Sequence, residues 1–209
     1  MKILKIEKVK FKKNTFKIFF DNDENIIVLA DSIVKFGLME GYGLQDKEYK
    51  EVVSYDKLNR IMSDALLLVS LRAYSFKGLQ DKLLQKRYDK DNVLSVVSRL
   101  EKLNYINDDK FSKSYAAYLS QKCKGEFAIK AELEKHGIRK SLILEALNSI
   151  KSQEEPYKQI VKIIASKFKN FDKKNKNEIR RIASFLLRRG FSSESIAKAF
   201  REYKDIPVE

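Results

Sequence analysis

The sequence predicts a mainly α-helical protein: an elongated array of three tandem three-helix repeats behind a small N-terminal extension of three strands and a helix. Three observations carry that reading. From about residue 56 onward, apolar residues recur at helical spacing in short segments bounded by Ser, Asn, Asp and Gly. Three stretches match one another: Leu84-Gln85-Lys86-Arg87-Tyr88, Leu133-Glu134-Lys135-His136-Gly137 and Leu186-Leu187-Arg188-Arg189-Gly190. Their offsets of 49 and 53 residues give a period of about 50, which belongs to helical arrays. Before residue 30, by contrast, apolar residues are interleaved with lysines in the manner of strands. The expected division is 1–55 for the extension, then repeats at 56–106, 107–153 and 154–209.

In the extension, Ile3, Leu4, Ile6, Val9 and Phe11 form the first strand region, and Lys12-Lys13-Asn14 a peripheral turn. Phe16 to Phe20 resume the strand pattern, Asp21-Asn22-Asp23-Glu24-Asn25 turn again, and Ile26-Ile27-Val28-Leu29 close it. Asp31 is placed to cap a short helix through Val34 and Phe36, stopped by Gly37, and Gly41-Tyr42-Gly43 is a joint before a polar helix from Asp46. Three strands alone are marginally stable, so the module is expected to pack on a helix or on the first repeat.

The first repeat starts at Asp56 with Ile61, Ala65, Leu68 and Val69, breaks at Tyr74-Ser75, and continues in a helix capped by Ser75 and carrying Leu79, Leu83 and Leu84. Asp89 or Asp91 opens its third helix, with Val93, Val96, Val97, Leu100 and Leu103 as the stripe. In the second repeat Asp108 is the expected cap for Phe111, Tyr115, Tyr118 and Leu119. Gly125 breaks the chain, Phe127, Ile129, Ala131 and Leu133 carry the next helix to a stop at His136-Gly137, and Leu142, Ile143, Ala146, Leu147 and Ile150 form the third stripe. In the third repeat Glu154-Glu155-Pro156 suits a helix start, because acids favour the positive dipole end and proline lacks only an N–H that would be unpaired anyway. Tyr157, Ile160, Val161, Ile164 and Phe168 follow, then a lysine-rich connector 170–176, a helix capped by Asn177 with Ile179, Ile182, Ala183 and Leu186, and a last helix from Ser192 or Ser193.

The Asp108-Asp109-x-Phe111 opening, the Gly125-x-x-x-Ile129-x-x-x-Leu133 spacing and the Lys135-His136-Gly137-Ile138 stop together resemble the RecX family of bacterial regulators of the RecA recombinase. The resemblance covers most of the chain and is weakest in the third repeat. It implies a non-enzymatic regulator that binds the RecA filament on single-stranded DNA and mainly inhibits its ATPase and strand exchange, in DNA repair, recombination and the SOS response. The alternative is an autonomous helical nucleic-acid-binding protein, since three-helix units with a glycine-marked turn also suit helix-turn-helix readers.

Composition bounds the partner but does not choose among nucleic acid, an acidic protein surface and anionic lipid. With 44% hydrophobic residues the chain has material for real cores, while a formal charge of +14 points to an anionic partner. Cys123 is the only cysteine and suits a reducing cytosol; no apolar run is long enough for a bilayer, so a cytoplasmic monomer without membrane contact is expected. Catalytic constellations are missing. His136, the only histidine, is explained by a helix end, Cys123 has no partner for a dyad, and Asp108-Asp109 lacks further ligands at metal spacing. No phosphate-cradling glycine loop occurs, and no cofactor or metal is expected.

The cations are uneven. Between Pro156 and Lys204 stand fourteen Lys and Arg against four acids, so this stretch of the third repeat carries +10, beside +14 for the whole chain. Lys86-Arg87, Lys135 with Arg139-Lys140, and Arg188-Arg189 recur at the end of each second helix, which in a stacked array aligns them into a basic stripe. With Lys173, Lys174, Lys176, Arg180 and Arg181 they form the expected filament and DNA face. Tyr74, Tyr88, Phe171 and Tyr203 are candidates for stacking on bases, though core packing accounts for most aromatics.

Overall fold

The computed structural model describes residues 1–203 apart from 154, 169–170, 173–174 and the side chain of Gln153. Lys173 and Lys174, and the cap assigned to Glu154, therefore lie outside the described residues. The chain forms two compact units, one of residues 1–72 with 79–105, the other of 73–78 with the segment from 106 onward.

The first unit opens with an antiparallel sheet, β1 (Ile3–Lys8), β2 (Thr15–Phe20) and β3 (Asn25–Leu29), in the order β1-β2-β3. Ile6 faces Ile18 across one pair and Ile18 faces Ile26 across the other. Ile3, Ile18, Phe20 and Val28 are buried on the same side, together with Leu38, Leu44 and Val52. Helix α1 (Ala30–Phe36) follows without a side-chain cap and ends at Gly37 in the left-handed region. Asp31 lies in its first turn instead of capping it, because the helix begins two residues earlier than the sequence suggested.

Helix α2 (Asp46–Leu71) runs unbroken through Asp56, where the sequence pattern alone placed a fresh start. Nothing interrupts it, since the stretch contains neither Gly nor Pro. Asp56 is buried and holds the sheet module to this helix. Its carboxylate accepts from Leu29 N at 2.6 Å, Ser32 Oγ at 2.8 Å and Arg60 Nε at 2.6 Å, while Arg60 Nη2 donates to Ile27 O at 2.9 Å. A buried carboxylate is tolerable only when so satisfied. Helices α3 (Phe76–Leu84) and α4 (Lys90–Lys102) complete the first repeat, with α2 packed on α4 and Asp89 capping α4 through Asp91 N and Asn92 N. Leu103, expected on this stripe, is exposed.

The second unit carries α5 (Asp108–Gln121), α6 (Glu126–Lys135) and α7 (Lys140–Gln153), then α8 (Pro156–Lys167), α9 (Lys176–Arg188) and α10 (Ser193–Glu202). First and third helices pack together in both repeats, α5 on α7 and α8 on α10, as α2 does on α4. The central core gathers Phe111, Ala116, Leu119, Ile129, Leu133, Ile138, Ile143 and Ala146. Tyr118, Phe127 and Ala131, assigned to its stripes by periodicity, turn outward. The last core gathers Ile160, Ile163, Ile164, Ile182, Leu186, Phe191, Ile196 and Ala199 with Tyr203.

Two caps differ from expectation by one or two residues. Asn107 caps α5 through Lys110 N, which frees Asp108 to accept from Phe76 N, at 2.8 Å, at the start of α3. Asn175, not Asn177, caps α9 through Asn177 N and Glu178 N. Ser75 and Ser192 cap α3 and α10 through Gly78 N and Ser195 N.

The turns after the second helices fix the register of the repeats. Arg87, Gly137 and Gly190 have φ of 64, 75 and 87°, and the fully buried Leu83, Leu133 and Leu186 each stand four residues before. Leu83, not Leu84, is thus equivalent to Leu133. Adjacent leucines fit the sequence match equally well, and only burial separates them: Leu84 is half-buried. Second helices begin after residues 75, 125 and 175, a spacing of 50 each time, and α9 then runs longer than α6 before its turn.

Candidate polyanion-binding face

The cation-rich element is α9, and its amphipathicity explains where the charges go. Ile182 and Leu186 are buried and Ile179, Ala183 and Phe185 half-buried, whereas Lys176, Asn177, Arg180, Arg181, Ser184, Leu187 and Arg188 are exposed. At about 100° per residue the exposed set occupies one arc of roughly 140°. Lys176, Arg180, Arg181 and Arg188 therefore share one face, over about 18 Å of helix. Among the described residues none of these four has an acidic partner. The one acid of the helix, Glu178, is turned away and accepts from Asp172 N at 2.7 Å.

Arg189 is different in kind from Arg188. Its Nη1 donates to the carbonyls of Lys122 at 3.1 Å and Cys123 at 3.0 Å, and its guanidinium lies over the Phe185 ring at 5.1 Å. Those carbonyls end α5, so Arg189 neutralises the negative pole of a helix in the neighbouring repeat. Lys86 is also engaged. Its Nζ lies 2.6 Å from Asp64 Oδ2, which accepts from Tyr88 OH at 2.9 Å as well; burial first, then that bond, pushes the Tyr88 phenol up to about 12. With the corrected register, Lys86 stands level with His136 and Arg189, and Arg87 with Gly137 and Gly190. Arg87, Lys135, Arg139 and Lys140 are exposed, Arg139 immediately before α7.

The aromatic candidates are interior. Tyr74 and Tyr203 are buried, Phe171 packs 5.6 Å from Tyr203, and Tyr88 is half-buried. His136 lies edge-on to Phe111 and Tyr115, at 5.3 and 5.1 Å. Exposed rings occur where periodicity had placed core, at Phe11, Tyr118 and Phe127, and at Tyr105. Side-chain exposure on a half-polar helix or loop leaves no distinct sequence signal. Among the described residues there is no group of three or more His, Cys, Asp and Glu fit for a metal, and no helix long and apolar enough to cross a membrane.

Comparison with known proteins places this geometry. Residues 107–147 match the model of the second three-helix domain of RecX, and 153–200 that of the third. The regulatory protein RecX of Bacillus subtilis is 33% identical over 192 residues, covering 90% of this chain and 72% of that protein. That of Caldanaerobacter subterraneus is 28% identical over 188 residues, covering 90% and 93%. A crystal structure of a regulatory protein RecX superposes with a TM-score of 0.72 at 22% identity over 98% of this chain and 99% of that one. RecX from Lactobacillus salivarius gives 0.63 at 24%, over 73% and 99%. The repeated three-helix cores, the matched domain models and the similarity along nearly the whole chain make this protein a member of the RecX family of regulatory proteins.

Proposed function

We propose that the chain is a non-enzymatic regulator of a RecA recombinase, binding the filament on single-stranded DNA and mainly inhibiting its ATPase and strand exchange. It acts as a cytoplasmic monomer, with the four-part division at 55/56, 106/107 and 153/154 as its functional layout. Family membership supports the partner. The observation that carries the mode of binding is the exposed cationic face of α9, Lys176, Arg180, Arg181 and Arg188, which has no acidic partner among the described residues. Flexible cations without internal acids release counterions when they meet a polyanion, so affinity rises and becomes salt-dependent. Arg87, Lys135, Arg139 and Lys140 add exposed charge in the earlier repeats, and the Lys173-Lys174 connector adds more. The α9 face presents four cations and one amide, Asn177, a set that suits phosphate or carboxylate contact.

Co-sedimentation with RecA filaments preassembled on single-stranded DNA, beside the same DNA without RecA, tests the reading. Preferential sedimentation with the filament is expected, together with slower filament ATP turnover. Equal binding to both substrates, without an effect on turnover, supports the autonomous nucleic-acid-binding alternative instead.

A further inference from the structure

The loop joining β1 to β2 carries an aromatic ring with no packing role. Phe11 is fully exposed, and it sits in the left-handed region at φ 63°, which disfavours a bulky residue as well. Both features cost stability, and nothing inside the protein repays them. The loop is nevertheless ordered by its own bonds. Val9 N donates to Thr15 O at 2.9 Å, Thr15 Oγ1 to Lys13 O at 3.0 Å, and Ala30 N to Asn14 O at 2.8 Å. Lys8, Lys10, Lys12 and Lys13 flank the ring; all are exposed, and none has an acidic partner among the described residues. Glu7, the nearest acid in sequence, is held by Lys5 Nζ at 2.6 Å, and Asp31 lies in the first turn of α1 beyond Ala30.

We infer that this loop is a contact for single-stranded nucleic acid, with Phe11 as a stacking platform for one base and Lys8, Lys10, Lys12 and Lys13 as its phosphate anchors. An exposed ring set among unpaired cations is the combination that binds single strands without regard to sequence. Duplex DNA keeps its bases stacked and offers such a ring nothing. A lipid surface fits less well, since one ring gives little apolar area to insert. The loop shares a polyanionic partner with the filament reading, but it needs only naked strand and does not depend on RecA.

The test uses the full chain, with fluorescence anisotropy of a labelled oligo-dT and of a mixed-sequence duplex, sedimentation with vesicles of phosphatidylserine and phosphatidylcholine, and inhibition of RecA strand exchange. Phe11→Ala and Phe11→Leu are expected to weaken oligo-dT binding roughly five- to a hundredfold, the usual loss for one stacked base, while Phe11→Tyr retains it and duplex binding is unchanged. Lys12→Glu with Lys13→Glu is expected to reduce the slope of log K against log salt by about 1.4, two cations at about 0.7 each. Circular dichroism confirms that each variant is folded. Oligo-dT binding that is absent in the parent, or unaltered by Phe11→Ala and Phe11→Leu, overturns the assignment. So does loss of vesicle binding alone, which makes the loop a membrane tip, or loss of RecA inhibition alone, which makes it a protein contact. The charges of α9 are untouched throughout, so the filament reading stands or falls on separate data.

Discussion

Gly125 and Gly190 meet backbone to backbone: Gly125 N donates to Arg189 O at 2.8 Å, and a Cβ on Gly125 would lie 2.3 Å from the carbonyl carbon of Gly190. The N-terminus of one repeat's second helix is thereby seated on the turn that ends the next repeat's second helix. One repeat earlier the equivalent residues meet again. Ser75 Oγ donates to His136 O at 2.8 Å, and a Cβ on Gly137 would lie 2.7 Å from Lys77 Cβ. The repetition is thus one of contacts as well as helices.

That relationship predicts an ordered series of glycine substitutions. Gly37→Ala meets nothing within 4 Å, so it carries only the cost of its left-handed φ, about 1–2 kcal/mol. Gly125 has an ordinary φ of −79°, and Gly125→Ala carries only the clash, about 1–3 kcal/mol for overpacking. Gly190→Ala carries both, with φ 87° and Ala128 N at 2.3 Å, and is expected to be the most destabilising of the three. Urea unfolding at neutral pH gives the ranking, and a Gly37 variant as damaging as the Gly190 one would remove the steric argument.

Burial gives a second test, of register. Leu83→Ala and Leu133→Ala should each cost about 2–5 kcal/mol, since both side chains are fully buried. Leu84→Ala should cost distinctly less, because that side chain is only half-buried. Equal losses at Leu83 and Leu84 in thermal or urea unfolding would return the alignment to the sequence match.

The Tyr88–Asp64 bond predicts a dependence on alkaline pH. The folded state holds the Tyr88 phenol near 12, above its usual 10, so it binds more protons than the unfolded state between those values. The stabilisation is complete below about pH 10 and is lost as pH rises toward 12. Tyr88→Phe should therefore cost about 0.5–1.5 kcal/mol at pH 8, the range for one hydrogen bond, and the gap from wild type should narrow at pH 11. A gap that widens with pH contradicts the raised phenol.

Much of this fold was legible because most helices announce themselves with an apolar stripe, and several with a side-chain cap as well. Ser75, Asp89, Ser192 and Gly37 do locally what their types favour, so they were placed by sequence. Asn107 and Asn175 were missed where a second short acceptor stands close by, Asp108 and Asp109 directly after the one and Asn177 two residues after the other. Asp108 shows why such choices are underdetermined: its bond to Phe76 N spans 32 residues, and no local pattern encodes it. The candidate face was legible as composition but not as geometry. The sequence counts Arg188 and Arg189 as a pair, yet the turn at Gly190 points one into solvent and the other at the end of α5.

That division yields the last prediction. Arg189→Ala removes two charge-assisted bonds to the Lys122 and Cys123 carbonyls and a ring contact with Phe185, so it should destabilise the protein by about 1–3 kcal/mol. Arg188→Ala should leave stability within about 0.5 kcal/mol, as exposed substitutions away from special features usually do. For function the order reverses in usefulness. Arg180→Glu with Arg181→Glu and Arg188→Glu reverses three cations on one face without touching the Arg189 bonds, so the melting curve should hold while inhibition of strand exchange falls. Lys47→Glu with Lys50→Glu, two exposed lysines near the start of α2, reverses charge elsewhere and serves as the comparison. Strand-exchange inhibition at two salt concentrations separates the cases. The α9 variant should lose both potency and salt sensitivity, because each phosphate contact contributes to the slope. Equal loss in the two variants would mean that net charge, and not the α9 face, sets the affinity.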